Sequence, residues 1–357
     1  MAPHRAFLID GTAFGYRAFY AIRALTASDG RPTNAVYGFA MMLNALRKTQ
    51  QPDALAVAFD AGKPTFRHKR FEGYKIQRKP MPDPLIAQLP VIKELLRALR
   101  IPVFEREGYE AEDLLATIGR RIAGPQVEVF LVTGDKDVLQ LVGPRVKVYN
   151  PYDDNGLIVD EEAVEERYGV PPNRMVDLMA LMGDEIDNIP GVPGIGPKTA
   201  AVLLKQFGTL EGLYDHLKEI PSESQRTALV KYRQQVELAR ELARIETDAP
   251  IAVTREDLAV REPDWQHLRR LYRSLEFKRL LADVEHAAPA DPQPAVRIHR
   301  VEDQAAAGPL AEMLERATPA ALAAWHTDGA GVMALAWNAD EAWSFRLARR
   351  GRHGLSR

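Results

Sequence analysis

Nine acidic residues recur in short motifs along this chain: Asp10, Asp60, Glu110, Glu112, Asp113, Asp135, Asp137, Asp184 and Asp187. Taken singly, an acid in such a setting is a surface charge or a helix cap. As a set they carry a cost, because massed carboxylates repel and some must stay protonated unless cations join them. A hard divalent cation is the simplest remedy, and oxygen-only ligands suit Mg²⁺ or Mn²⁺. The chain has no cysteine, and none of its eight histidines lies in these motifs. That argues against a zinc site and against a histidine general base. Carboxylates alone point to metal-assisted chemistry, most often on phosphate. Two or more ions, roughly 4 Å apart, would hold the attacking water and the leaving 3′ oxygen of an in-line displacement. Lysine or arginine would neutralise the remaining phosphate charge.

A second chemical feature follows directly on Asp184 and Asp187. The stretch GVPGIGPKTA places Gly191, Gly194 and Gly196 before Pro197, with Lys198 next to it. Glycines permit close backbone approach, and Pro197 suits the first position of a helix. A helix N-terminus there offers free N–H groups and a positive dipole end to phosphate, without reading bases. The bland alternative is an ordinary helix–turn–helix corner. A third feature is basic: seven Lys/Arg lie between Lys63 and Lys79, opposed only by Glu72. Such density is either a solvated surface or a phosphate contact.

The elements that must position these groups are visible as apolar runs that end in acids. AFLID ends at Asp10, ALAVAFD at Asp60, and VEVFLVTGDKD at Asp135 and Asp137. Apolar without clean alternation, they read as buried strands of a parallel sheet. Ligand crevices in such sheets lie beyond the carboxyl ends of the strands. Glu110 and Asp113 share one face of a helix entered at YEAEDLLATIG, and Asp184 and Asp187 have the same spacing. Between the strands, the spacing predicts a helix from Thr33, its N-cap, to Lys48, and another from Pro84 to Arg100 kinked at Pro90. Alternating strands and helices predict an α/β domain over residues 1–160. Strand signals then fade, and residues 161–285 read as a helical subdomain, with Gly169, Gly183 and Gly208 where helices should stop and Asp264 capping a late helix. Residues 286–294 read as a linker. Residues 295–357 read as a small unit with strands near 295–301, 321–325, 332–337 and 342–347 and, between the first two, a helix broken near Gly308 and Pro309; at this size an independent core is marginal. The charge of −2 says nothing about nucleic acid. The N-terminus has neither a signal peptide nor a membrane span, which makes a cytoplasmic location the expectation.

Five ordered motifs resemble a known family: LIDGTAFGYRAFYA, VAFDAGKPTFRHKRFEGYKIQRKPMPD, GYEAEDLLATI, VTGDKDVLQLV and LMGDEIDNIPGVPGIGPKTA. From about Ala6 to Val284 the chain is similar to the 5′ nuclease domains at the N-terminus of bacterial DNA polymerases I, in the flap endonuclease superfamily. The resemblance implies a PIN-like, resolvase-like α/β domain with a helix–hairpin–helix subdomain. It implies a metal-dependent 5′-3′ exonuclease and flap endonuclease, acting on DNA with a 5′ flap, a nick or an RNA primer in replication and repair. It implies a first metal among Asp10, Asp60, Glu110, Glu112 and Asp113, and a second approached by Asp135, Asp137, Asp184 and Asp187. Lys75 and Arg78 match a catalytic basic pair at the base of an arch. Arg17 and Tyr74 match residues near the scissile phosphate and the unpaired nucleotide. Gly191 to Lys198 match the hairpin that binds duplex DNA, often with a K⁺ ion. A monomer is expected, with a polymerase domain normally in the same chain and no membrane partner. One acid departs from the family pattern E-A-D-D: Glu112 stands where aspartate is usual, with charge kept and reach lengthened, so reduced activity or a shifted metal preference is the most expected of it. The C-terminal tail resembles the start of the polymerase's 3′-5′ exonuclease-like domain, an RNase H-like α/β fold. There Ala324 and His326 replace the D-x-E carboxylates, so that metal site is expected to be lost, and this chain alone is not expected to synthesise DNA.

Two rival readings share parts of this pattern. A PIN-class ribonuclease has a carboxylate-lined α/β site, but such domains are short and generally lack both hairpin and basic arch. A non-catalytic DNA-binding scaffold with a decayed site is opposed by the full set of acids together with Lys75 and Arg78.

Overall fold

The computed structural model describes residues 3–62, 64–151, 156–288, 297–301, 321–327, 330–336 and 341–347. The chain divides into two units, Met1–Glu285 and His286–Arg357. In the first, β1 (His4–Asp10) leads into α1 (Gly11–Ala21) and α2 (Asn34–Gln50), then β2 (Ala54–Ala58). The short helices α3 (Phe66–Arg70) and α4 (Asp83–Ile86) precede α5 (Leu89–Ala98) and β3 (Val103–Phe104). Next come α6 (Ala111–Ile122), β4 (Val127–Val132), β5 (Val146–Asn150) and β6 (Leu157–Val159). The helices α7 (Glu161–Tyr168), α8 (Met175–Met182), α9 (Pro197–Phe207), α10 (Leu210–Asp215), α11 (Glu223–Lys231), α12 (Arg233–Ala243), α13 (Trp265–Ser274) and α14 (Lys278–Ala287) follow.

The six strands lie in the order β3-β2-β1-β4-β5-β6. All neighbours are parallel except β5 and β6. The sheet is therefore mixed and mostly parallel, with an antiparallel strand at one edge. Central β1 shows why its run is apolar without alternation. Ala6 and Leu8 pack on one face with Leu114, Ile118 and Val129, while Phe7 and Ile9 pack on the other with Phe39, Leu43 and Leu95. A strand covered on both faces has no polar side to show. Phe7 stacks on its register partner Phe130 with ring centroids 4.6 Å apart.

Two local expectations are corrected. No single kinked helix spans 84–100; the helix breaks before Leu89, and Pro90 sits in the first turn of α5, where proline is tolerated. Buried Gln88 marks the break, its Oε1 accepting from the backbone N–H of Ala35 and Val36 at 2.8 and 3.2 Å. Those are free donors of the first turn of α2, so Gln88 satisfies from a distance what the Thr33 side chain leaves open.

The helical region also departs from its expected outline. α8, α9 and α12 form one packed group with the apolar side of α6. Further along, Leu268, Leu271, Tyr272 and Leu280 join the opposite core, with Phe7, Val36 and Phe39. The chain thus returns to the α/β sheet, and Asp264, which caps α13 by accepting from His267 N, also donates its own N–H to Ala98 O at 2.7 Å.

The second unit contains a four-stranded sheet in the order β7 (Arg297–Val301), β10 (Glu341–Leu347), β9 (Ala330–Ala336), β8 (Ala321–Thr327). β8, β9 and β10 run antiparallel in succession, and β7 is parallel to β10. The expected helix after β7, most of the expected linker, and Lys63 lie outside the described residues. Among the described residues, no helix is long and apolar enough to cross a membrane.

Candidate active site

Strand register brings three acids to one edge of the sheet. Asp10 ends β1 level with Ala58 of β2, and Asp60 follows two residues later. Ile9 is level with Val132 of β4, and Asp135 follows three residues beyond. The chain turns from one half of the sheet to the other between β1 and β4, so this edge is the switch point where α/β sheets bind ligands. A cavity of about 430 Å³ opens there, lined by Asp10, Asp60, Glu110, Glu112 and Asp135. Thr12, Tyr16, Lys75, Arg78 and Lys79 complete its walls.

Two helix N-termini make this crowding tolerable. Asp10 caps α1, accepting from Ala13 N at 2.9 Å. Glu110 caps α6 in a reciprocal box with Asp113. Asp60 accepts from Ala111 N, the first residue of that helix, at 2.8 Å. Exposed N–H groups and the positive dipole end favour negative charge at each of these places. The helix-cap reading and the ligand reading of these acids are therefore compatible.

The relief is incomplete. Burial, then Asp60 and Asp135, push Asp10 up to about 7. Burial, then Glu110, raises Asp60. Glu112 is raised well above the carboxylate range by burial and by Glu110 and Asp135, against the pull of Lys75. Glu110 alone goes the other way: although buried, it is held at about 2 by Lys75 and Arg67. Lys75 Nζ stands 2.9 Å from Glu110 Oε2 and 3.4 Å from Asp187 Oδ2.

Arg67 and Asp113 have a different place from the one expected. Arg67 is buried, and its guanidinium grips both oxygens of buried Asp113 at 2.8 Å. It also donates to the carbonyls of Leu242 and Arg244 at 2.9 Å and to Glu110 Oε2 at 3.4 Å, while Asp113 also accepts from Glu246 N. Asp113 is thus taken up in a clamp between α3, α6 and the end of α12, and does not line the cavity. Tyr74 also differs: only 2% exposed, its hydroxyl donates to Glu110 and Asp187 at 3.1 and 3.2 Å, leaving no ring face open to a nucleotide. Exposed Arg17 lies one residue beyond Tyr16, outside the cavity lining.

The remaining acids gather beside the cavity. Asp184 pairs with Lys136 at 2.9 Å, and Asp187 lies 3.9 Å from Arg78. Burial raises Asp187 despite Lys75 and Arg78. Asp137 is raised well above its ordinary range by burial, then Asp135, Asp187 and Asp184. Its Oδ1 is buried and meets no hydrogen-bond partner. Among the described residues, no three acids converge closely enough to hold one ion. Lysines and Arg67 instead sit among them. The donor set nevertheless suits a hard cation: carboxylate oxygens only, mutual repulsion that raises several pKa values, and one orphaned buried oxygen.

The sign of these shifts gives a prediction. Between its ordinary value of 3.8 and about 7, Asp10 holds a proton in the folded chain that the unfolded chain releases. Its contribution to stability therefore falls as pH rises through that window. Glu110 contributes stability above its ordinary 4.5 that is lost as pH falls toward 2. A cation must displace the extra protons, so stabilisation by Mg²⁺ relative to EDTA should widen from pH 5 to pH 8, as read by Tm. A gap independent of pH would contradict the shared-cation picture.

The hairpin joins α8 to α9. Val192 and Ile195 are buried and anchor it, while Pro193, Gly194, Gly196 and Lys198 are exposed. Gly194 has φ 85°, and a Cβ on Gly191 would stand 2.3 Å from the Met182 carbonyl. Backbone contact this close is open only to glycine. The polar groove beside it is lined by Gln77, Asp184, Asn188 and Gly191.

Sequence reasoning missed Thr12, Tyr16 and Lys136, whereas Lys79 belongs to the basic stretch singled out there. Thr12 and Tyr16 are four residues apart on α1 and share the face that follows the Asp10 cap, which was signal enough to place them at the same opening.

A resolvase-like α/β sheet with acids at its carboxyl edge, followed by a helix–hairpin–helix, defines a nuclease class. The family models agree: the 5′-3′ exonuclease N-terminal resolvase-like domain matches residues 5–169, and the 5′-3′ exonuclease C-terminal SAM fold matches residues 170–266. The chain belongs to the 5′-3′ exonuclease family and is a phosphodiester-cleaving 5′ nuclease. It is 40% identical over 279 residues to a 5′-3′ exonuclease of Aquifex aeolicus (strain VF5), covering 78% of this chain and 94% of that one. It is 42% identical over 295 residues to DNA polymerase I of Bacillus caldotenax, covering 82% of this chain and 33% of that one. The chain thus spans about a third of the length of such polymerases. Among solved structures, the flap endonuclease of bacteriophage T5, in a pseudo-enzyme-product complex with DNA and metal ions, superposes with TM-score 0.58 at 20% identity, covering 79% of this chain and 98% of that one.

Proposed function

We propose that the chain is a divalent-metal-dependent 5′-3′ exonuclease and structure-specific 5′ flap endonuclease, acting on DNA flaps, nicks and RNA primers in the cytoplasm as the N-terminal part of a DNA polymerase I. The observation that carries this is the cavity at the sheet edge, with five carboxylates facing Lys75, Arg78 and Lys79. Two or more Mg²⁺ or Mn²⁺ ions, held by these acids with Asp137, Asp184 and Asp187, would supply hydroxide near neutral pH and charge to balance the leaving oxygen. Lys75 and Arg78 face the same opening and neutralise the phosphate. Gly191, Gly194, Gly196 and Lys198 bind duplex backbone phosphates, with a K⁺ ion at the same hairpin. Arg17 stands on α1 for a phosphate farther along the strand. The β8–β9–β10 meander supports the RNase H-like reading of the tail, with Ala324 and His326 on β8.

A substrate panel tests the proposal: 5′-flap, nicked duplex, single-stranded DNA and single-stranded RNA, with Mg²⁺ or EDTA. Metal-dependent cutting at the flap junction is expected. Cutting of single-stranded RNA alone would favour a PIN-class ribonuclease, and binding without cutting a scaffold. Lys198→Ala should weaken duplex binding alike for all sequences and lower the salt slope by about one unit, read from a titration of affinity against salt. A base-specific loss would contradict a backbone grip.

A further inference from the structure

Among the described residues, five non-glycine residues have left-handed backbone: Gln51, Lys75, Arg100, Asn188 and Glu276. Gln51, Arg100 and Glu276 follow the ends of α2, α5 and α13, where such residues commonly stop helices. Lys75 and Asn188 end no helix. They lie 113 positions apart and belong to directly bonded segments. Asparagine tolerates this conformation, whereas lysine pays for it and keeps it only where its surroundings enforce it.

Those surroundings come from the loop that bears the second group of acids. Lys75 N–H donates to Asp187 O at 2.9 Å. Asn188 Nδ2 donates to Gly73 O at 2.8 Å, and a Cβ on Gly73 would press on the Asn188 amide at 3.2 Å. The loop is itself stiff: Asp184 and Ile189 exchange two backbone hydrogen bonds of 2.8 Å. Behind it, Gly183 and Gly191 touch backbone to backbone, which ties it to the hairpin.

We propose that Asn188 is a positioning residue for Lys75. Its left-handed backbone aims the amide at the Gly73 carbonyl, and that bond fixes the turn from which Lys75 enters the cavity. The hairpin and the cationic side chain are thereby held in one rigid frame. This rests on the nuclease reading of the cavity, in which Lys75 faces the phosphate.

The test uses the full chain and a 5′-flap duplex with saturating Mg²⁺, reading single-turnover rate, duplex affinity and Tm. Asn188→Gly keeps the backbone conformation and removes the amide; Asn188→Asp keeps size and removes the donor. Both should slow cleavage by about 10- to 100-fold with affinity within about twofold. In a Lys75→Ala background the same changes should cost less than about twofold, because both act through one group. Rates within twofold of the parent, or an equal loss in the Lys75→Ala background, would overturn the assignment. A parent chain that does not cut would instead remove the nuclease reading, and this inference with it.

Discussion

An Asp135→Ala variant is expected to cut a 5′-flap duplex at least about 10³-fold more slowly than the parent while holding that duplex with unchanged affinity. Asp135 faces the cavity with Asp10, Asp60, Glu110 and Glu112, and its Oδ1 accepts from Asp137 N at 2.9 Å. It therefore both borders the site and shapes the turn that carries Asp137. The hairpin that should hold duplex lies on other elements, between α8 and α9. Cutting and gripping should separate in the variant. Measured by single-turnover cleavage and by duplex titration in Ca²⁺, equal loss of both would show that the two roles are not divided as the geometry suggests.

Replacing Arg67 with methionine should have the largest effect on stability. It would leave Asp113 a buried charge without its partner and strip donors from the carbonyls of Leu242 and Arg244. Breaking a buried pair in this way costs about 3–5 kcal/mol. For a unit of this size that corresponds to a fall in Tm of roughly 6–20 °C. The companion variant Asp113→Asn separates two roles for that acid. A metal ligand would lose activity with Tm unchanged. The clamp seen here predicts a lower Tm first, with whatever activity remains depending on Mg²⁺ as in the parent.

The catalytic edge was legible because strands covered on both faces leave unbroken apolar runs, and a run that stops at an acid marks its own carboxyl end. Asp10, Asp60 and Asp135 could be placed together on that ground alone. β3, two residues long, and the partly exposed β6 leave no such trace. The basic stretch was the least legible part. Spacing treats its members alike, but Arg67 and Lys75 are buried whereas Lys69, Arg70, Arg78 and Lys79 are exposed. The partners that bury Arg67 are 46 and 175 positions away, and nothing local announces them. Asp113 is misleading in sequence for the same reason: its neighbours are ligand candidates, and only the fold reveals that it turns from them. Glu112 keeps a place on the cavity wall despite its extra methylene, so the departure from the family pattern changes reach rather than location.

Because Leu268, Leu271, Tyr272 and Leu280 help seal the sheet's second face, the helical portion is an insertion in the nuclease and not an appendage to it. A recombinant fragment stopped at residue 266, where the second family match ends, would strip Leu268, Leu271, Tyr272 and Leu280 from that core and the Phe277 ring from Tyr37, and should clump on expression. The shortest self-sufficient enzyme would extend through α14, to residue 287.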